Sequence, residues 1–302
     1  MSHHRFVPEE IEAALDGRYI VGPEIGVGSQ GAVFKATRLS RPDGTATDDV
    51  VALKLHLSAG KTVRVQREIT AMESLSHPNV GRLIEHGYCD VAGRQTGYIA
   101  CEFIEGQSLK NRLRGGRLLE SEVLQIGRDI SAAIAALWEQ RIVHGDIKPS
   151  NIMLRESGSA VLIDLGVASF FEEEAGPRPL TPGLPEQFWH GGTLGYMSPE
   201  QAKGQRRLSC ASDIFSLGVV LLESIQGWHP TNFDQLALAK GIRASGGKLT
   251  VSSGLLRTLD MMLIGHPPRA RGRVGKLSGY FQMLELMTVE KFASGAGAVQ
   301  QA

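Results

Sequence analysis

The apolar period of this chain changes near residue 105, and that change restricts its fold more than any other feature. From Tyr19 to Ile104 the apolar residues come in short β-branched runs punctuated by glycine: Tyr19 to Ile25, Ala32 to Thr37, Val50 to Leu57, Arg82 to Tyr88 and Gly97 to Phe103. Runs of this kind predict about five strands. One helical stretch interrupts them, from Lys61 to Leu75, where Val65, Ile69, Met72 and Leu75 recur at helical spacing before His77-Pro78-Asn79 ends it. After Gly106 the period is helical, with Val123, Leu124, Ile126, Ile130, Ile134, Leu137 and Trp138 on one face. Further helices are expected over Ser212 to Gln226, Phe233 to Ala244, Gly254 to Ile264 and Gly279 to Phe292. The expected class is α+β: an extension over 1–18, a mainly β lobe over 19–104, a mainly α lobe over 105–290 and a tail over 291–302.

Composition narrows the function classes. With 302 residues, 42% of them hydrophobic, the chain can bury a full core. Lys plus Arg and Asp plus Glu balance at 32 each, so no global field selects nucleic acid or a membrane surface as partner. Cys89, Cys101 and Cys210 are widely spaced and form no CxxC pair, which fits neither a disulfide framework nor a zinc site. The acidic residues Glu9, Glu10 and Glu12 follow the N-terminus where a secretory signal would be apolar. The most apolar run, Ile214 to Ile225, is too short to span a bilayer and is broken by Ser216, Gly218 and Glu223. A cytoplasmic protein with no membrane span is the expectation.

Several polar residues sit where packing alone does not explain them. Gly26-Val27-Gly28-Ser29-Gln30-Gly31 lies between two expected strands. Such a hairpin is either a plain turn or a loop whose backbone N–H groups lie over phosphates, with no side chain between. Lys54 falls inside the apolar run Val51-Ala52-Leu53-Lys54 and needs an anionic partner if buried. Glu68, on the helix that follows, is the candidate; a solvated edge-strand lysine is the alternative. His144-Gly145-Asp146-Ile147-Lys148-Pro149-Ser150-Asn151 packs an acid, a cation and an amide into one short loop. Thirteen residues beyond Asn151, an apolar strand ends in Asp164-Leu165-Gly166. Asn151 and Asp164 can offer oxygen ligands to Mg²⁺, Asp146 can accept a hydroxyl proton, and Lys148 can neutralise a phosphate.

In this order the motifs resemble the eukaryotic-type Ser/Thr protein kinase family, and the resemblance spans roughly Arg18 to Met287. Gly192-Thr193-Leu194-Gly195-Tyr196-Met197-Ser198-Pro199-Glu200, Asp213 at the head of an apolar helix, and Arg271 extend it. The resemblance implies a bilobal kinase fold, with an antiparallel β lobe carrying one regulatory helix and a mainly α lobe. It implies ATP and Mg²⁺, with Mn²⁺ as substitute, a protein substrate, and autophosphorylation. By the same resemblance, Gly26, Val27, Gly28, Ser29 and Gly31 cover the nucleotide, and Val33, Ala52 and Met153 sandwich adenine. Cys101 is the gatekeeper, and the backbone of Glu102 and Phe103 meets adenine. Lys54 with Glu68 anchors the phosphates, Asp146 is the base, Lys148 and Thr193 assist it, and Asn151 and Asp164 hold the metal. Met72, Leu165 and His144 would line the regulatory apolar column. Asp213 would hold the catalytic loop, and Glu200 would pair with Arg271, with Arg269 and Arg273 as alternatives. Gly17-Arg18-Tyr19 leading into the glycine loop, with Ile147-Lys148-Pro149-Ser150-Asn151, resembles bacterial kinases of this type.

The chain departs from the family at Gly145, where an arginine usually precedes the catalytic aspartate. That arginine commonly clamps a phosphorylated activation loop, which glycine cannot do. His-Gly-Asp also occurs in aminoglycoside-type phosphotransferases, so a small-molecule kinase stands as one alternative and a catalytically silent scaffold as another. Lys148 and Thr193 favour the protein Ser/Thr class. The activation segment, 164–200, is long, with Glu172-Glu173-Glu174 and four prolines from Pro177 to Pro185, and reads as either a solvated insertion or an autoinhibitory segment. A smaller insertion, Ser40 to Asp49, has no function assigned to it.

Overall fold

The computed structural model describes residues 6–27, 31–39, 49–59, 63–171, 192–205, 208–229, 251–263, 276–279 and 281–283. The chain divides into two compact units, the first comprising Met1–Ser76 with Gly81–Glu105 and the second His77–Val80 with Gly106–Ala302.

In the first unit, β1 (Tyr19–Val27), β2 (Gly31–Arg38), β3 (Asp49–Ala59), β4 (Leu83–Val91) and β5 (Arg94–Glu102) form one sheet in the order β1-β2-β3-β5-β4. Every pairing is antiparallel. The tight β4–β5 connection turns at Ala92 and Gly93, whose φ values of 53° and 80° suit a two-residue hairpin turn that follows strand twist. Because β3 is central, both of its faces need cover. Helix α2 (Val63–Glu73) lies on the side of Lys54, and a Cβ on Gly97 would come within 2.9 Å of the Val65 side chain there.

The opposite face carries Phe34, Ala36, Val51, Leu53, Leu55 and Ala100 and is covered by α1 (Pro8–Ala14) together with Leu15. Ile11 and Leu15, one helical turn apart, are fully buried in that core. Among its described residues the first unit therefore has two helices, where the sequence suggested a single regulatory one after an N-terminal extension. Glu12 fixes α1 to the sheet by accepting the Val21 N–H at 2.6 Å. Below it, the Glu85 carboxylate collects Arg18, the Tyr19 hydroxyl at 3.0 Å and the Tyr98 hydroxyl at 2.9 Å. These bonds satisfy a carboxylate and two phenols at the rim of an apolar core.

The second unit opens with β6 (Gly106–Ser108) and α3 (Leu109–Leu113), followed by α4 (Glu120–Glu139) and β7 (Ile142–Val143). Next come β8 (Ile152–Arg155), β9 (Ala160–Leu162), β10 (Ser169–Phe170), α5 (Pro199–Ala202), α6 (Cys210–Gln226) and α7 (Ser253–Met262). Short sheets pair β6-β8-β9 and β10-β7. Helix α6 is buried on nearly every side, as a helix apolar all round must be. The Ser209 hydroxyl caps its N-terminus, and Gly227, at φ 79°, supplies the left-handed residue that ends it. The helix expected over 233–244 and the tail lie outside the described residues, as does most of the helix expected over 279–292. No helix among the described residues is long and apolar enough to cross a membrane.

Candidate active site

In the first unit, the amphipathic pattern of α2 puts Glu68 on the same face as Val65 and Met72, turned to the sheet. Its carboxylate is 2% exposed, and Oε1 lies 2.6 Å from the Lys54 Nζ. The buried His56, two residues along β3 from Lys54, brings Nε2 to 3.8 Å from the other carboxylate oxygen. A pair this close and this dry holds both side chains in one geometry, and losing either member leaves a buried charge. Around it, Val33 is paired with Lys54, and Ala52 with Cys101, in the strand register. Cys101 is half-buried, more open than a core thiol. The Glu102 N–H donates to the Arg82 carbonyl at 2.9 Å, and the Lys35 ammonium lies 4.5 Å from the Phe103 ring centre. Gly26 and Val27 end β1, with Val27 largely exposed. At Gly31 a Cβ would meet the Leu55 carbonyl at 2.2 Å, so only glycine fits. Gly28 and Ser29 lie outside the described residues.

In the second unit, the loop after β7 is built around Asp146. Its Oδ1 accepts the Thr193 hydroxyl at 2.7 Å, and its Oδ2 accepts the Lys148 Nζ at 2.6 Å. Lys148 also donates to the Thr193 Oγ1 at 2.7 Å, closing a three-membered ring of charge-assisted bonds. Asn151 donates through Nδ2 to the Asp146 carbonyl at 3.0 Å, which leaves its Oδ1 as the amide's acceptor atom. The loop is held from beneath by Asp213 at the start of α6, whose two oxygens accept the N–H groups of His144 and Gly145 at 2.9 Å each. Burial pushes the Asp213 carboxyl above the usual carboxylate range, while His144 and the two N–H donors pull it back down.

Asp164 follows β9 with φ 67°, a left-handed conformation that costs a side-chain-bearing residue on the order of 1 kcal/mol. Its Oδ1 accepts the Gly166 N–H at 3.3 Å. Met153 is half-buried on β8. Glu200, buried in α5, accepts the Ser212 hydroxyl at 2.7 Å. Arg271, its expected partner, lies outside the described residues.

The motifs within the described residues thus sit on the expected strands, loops and helices, in order. Residues 19–245 match the protein kinase domain family. The chain belongs to the protein kinase family. Among similar proteins, serine/threonine-protein kinase pkn3 of Myxococcus xanthus is 34% identical over 237 residues, covering 75% of this chain and 41% of its own length. Serine/threonine-protein kinase pkn2 of the same organism is 31% identical over 222 residues, covering 72% of this chain and 25% of its own. A probable serine/threonine-protein kinase PknB of Lactococcus lactis is 30% identical over 223 residues, covering 72% and 33% respectively. The kinase chain therefore spans between a quarter and about two fifths of the length of these relatives.

The oxygen donors suit a hard divalent cation. No group of three or more His, Cys, Asp or Glu side chains that could hold a metal ion occurs among the described residues. Two kinase residues near these motifs escaped the sequence reading. His56 could have been found by parity, since it faces the same side of β3 as Lys54. Gln201 donates through Nε2 to the Gly145 carbonyl at 2.6 Å across 56 positions of sequence, and nothing local announces that contact.

Proposed function

We propose that the chain transfers the γ-phosphoryl group of ATP to serine and threonine hydroxyls of proteins, with Asp146 as the base. The observation that carries this reading is the ring of hydrogen bonds joining Asp146, Lys148 and Thr193. In that ring the carboxylate is aimed by two hydrogen bonds, one of them from a cation, as a base must be before it can take a proton. The acceptor hydroxyl oxygen attacks the γ-phosphorus while its proton passes to Asp146, and the bond to the bridging oxygen of ADP breaks. Lys148 balances charge on the transferring group, and Lys54, steadied by Glu68, anchors the phosphates. Mg²⁺, held by Asn151 and Asp164, would neutralise phosphate charge.

Thr193→Val keeps the shape of the side chain and removes both its bonds, so turnover should fall about tenfold with KM for MgATP unchanged. Steady-state kinetics check it, and unchanged turnover would remove Thr193 from the mechanism. A broader experiment incubates the chain with labelled MgATP, a generic basic protein and an aminoglycoside. Label on the protein supports the reading; label on the aminoglycoside alone moves it to the small-molecule class, and no transfer to either points to a scaffold.

Gly145 also bears on regulation, because the chain has no side chain there to bind a loop phosphate. Thr181, which lies outside the described residues, is a natural acceptor to test. Thr181→Ala should leave turnover nearly unchanged; a loss of more than about tenfold, equivalent to about 1.4 kcal/mol, would count against phosphate-independent activity.

A further inference from the structure

Gly145 leaves the peptide before Asp146 with the freedom of glycine, at φ 76°. That peptide is nevertheless held on both sides. Its N–H, that of Asp146, donates to His144 Nδ1 at 3.2 Å, and its carbonyl, that of Gly145, accepts the Gln201 Nε2 at 2.6 Å. A carbonyl oxygen can face only the NH₂ end of an amide favourably, which fixes which way Gln201 points. Gln201 is 4% exposed and projects from α5, whose N-terminus is capped by Ser198. Gly192 roofs the bond: a Cβ there would lie 2.7 Å from both the Gln201 Nε2 and the Gly145 carbonyl. The stretch 192–201 therefore grips the loop twice, through Thr193 on the Asp146 carboxylate and through Gln201 on the preceding carbonyl.

We propose that Gln201 is a positioning residue that clamps the Gly145–Asp146 peptide, tying α5, at the end of the activation segment, to the catalytic loop without a phosphate. The proposal rests on the reading of Asp146 as the base. The chemistry is that of a neutral amide donor in a water-poor contact. Gly145 has no side chain to bind a phosphate, and the constraint falls instead on the backbone that aims the carboxylate.

The test uses phosphatase-treated full chain, with MgATP and a generic basic protein as substrates. Gln201→Met keeps the length of the side chain and removes the donor; kcat should fall about tenfold while KM for MgATP stays within about twofold. Gln201→Glu supplies a readout that a space-filling role would not move. A protonated carboxyl can donate to the Gly145 carbonyl and an ionised one repels it, so the ratio of this variant's kcat to wild type should rise as pH falls from about 8 to about 6. Taking the ratio at each pH compares two proteins that share the same neighbours around the contact, His144, Asp146 and Asp213. A kcat for Gln201→Met within about twofold of wild type overturns the clamp, and so does a pH-independent ratio for Gln201→Glu. Should Gln201→Met fail to melt cooperatively, the Gln201→Glu ratio decides. If wild type transfers no phosphate to protein, the reading of Asp146 fails separately, and amide hydrogen exchange decides the clamp. Faster exchange over 142–150 in Gln201→Glu at about pH 8 than in wild type supports it, and equal exchange overturns it.

Discussion

Asp146→Asn is expected to lower phosphotransfer by about 10²- to 10⁴-fold while leaving nucleotide affinity within about twofold. The two carboxylate oxygens of Asp146 accept three bonds, from Thr193 at 2.7 Å, Lys148 at 2.6 Å and, more weakly, the Asn151 amide at 3.4 Å. An asparagine has one acceptor oxygen and one NH₂ group, so it must turn a donor toward either the Thr193 hydroxyl or the Lys148 ammonium. Thr193 can rotate its hydroxyl to accept, but Lys148 cannot accept at all, so the amide nitrogen will face Thr193. The ring then survives in altered form and the loop stays folded, since the substitution is nearly isosteric. On the reading of Asp146 as the base, what disappears is the basicity that takes the hydroxyl proton. Single-turnover transfer of labelled phosphate, with equilibrium binding of MgATP alongside, separates the two effects. A variant that transfers within about tenfold of wild type would mean that Asp146 is not the base.

Legibility from sequence followed how local each interaction is. The switch of period near residue 105 placed β1 to β5, α2, α4, α6 and α7 within a few residues, because burial on one face repeats along the chain itself. The pairing of Lys54 with Glu68 was legible because a lysine in an apolar run must find an anion, and only one helix stood nearby in sequence. The hold of Asp213 on His144 and Gly145 joins positions nearly seventy residues apart and was open only to family resemblance. Gln201 reaches Gly145 across 56 positions and had no such help. Helix α1 escaped for another reason. It has seven residues, among them Glu9, Glu10 and Glu12, and its apolar side amounts to Ile11 with Leu15 just beyond its end, too short a repeat to show a period. Its signal lay elsewhere, in Val51, Leu53 and Leu55. These residues occupy the face of β3 opposite Lys54, and a central strand apolar there requires a second cover.

Leu15→Ala is therefore expected to destabilise the protein by about 2–5 kcal/mol, the range for deleting a fully buried leucine side chain. A seven-residue helix has no stability of its own in water and exists here because Ile11 and Leu15 are buried against the sheet. Truncating Leu15 removes one of the two fully buried residues by which this segment is anchored and opens space in the core that also holds Leu53 and Leu55. The effect should reach past α1, since Glu12 holds the Val21 N–H and Arg18, three residues on, feeds the Glu85 cluster that includes Tyr19 and Tyr98. Urea unfolding followed by tryptophan-independent far-UV circular dichroism measures the change. Faster hydrogen exchange in β1 and β4 than in the second unit would locate it. If α1 were a dispensable extension, Leu15→Ala would cost less than about 1 kcal/mol, and its exchange pattern would match wild type outside residues 8–18.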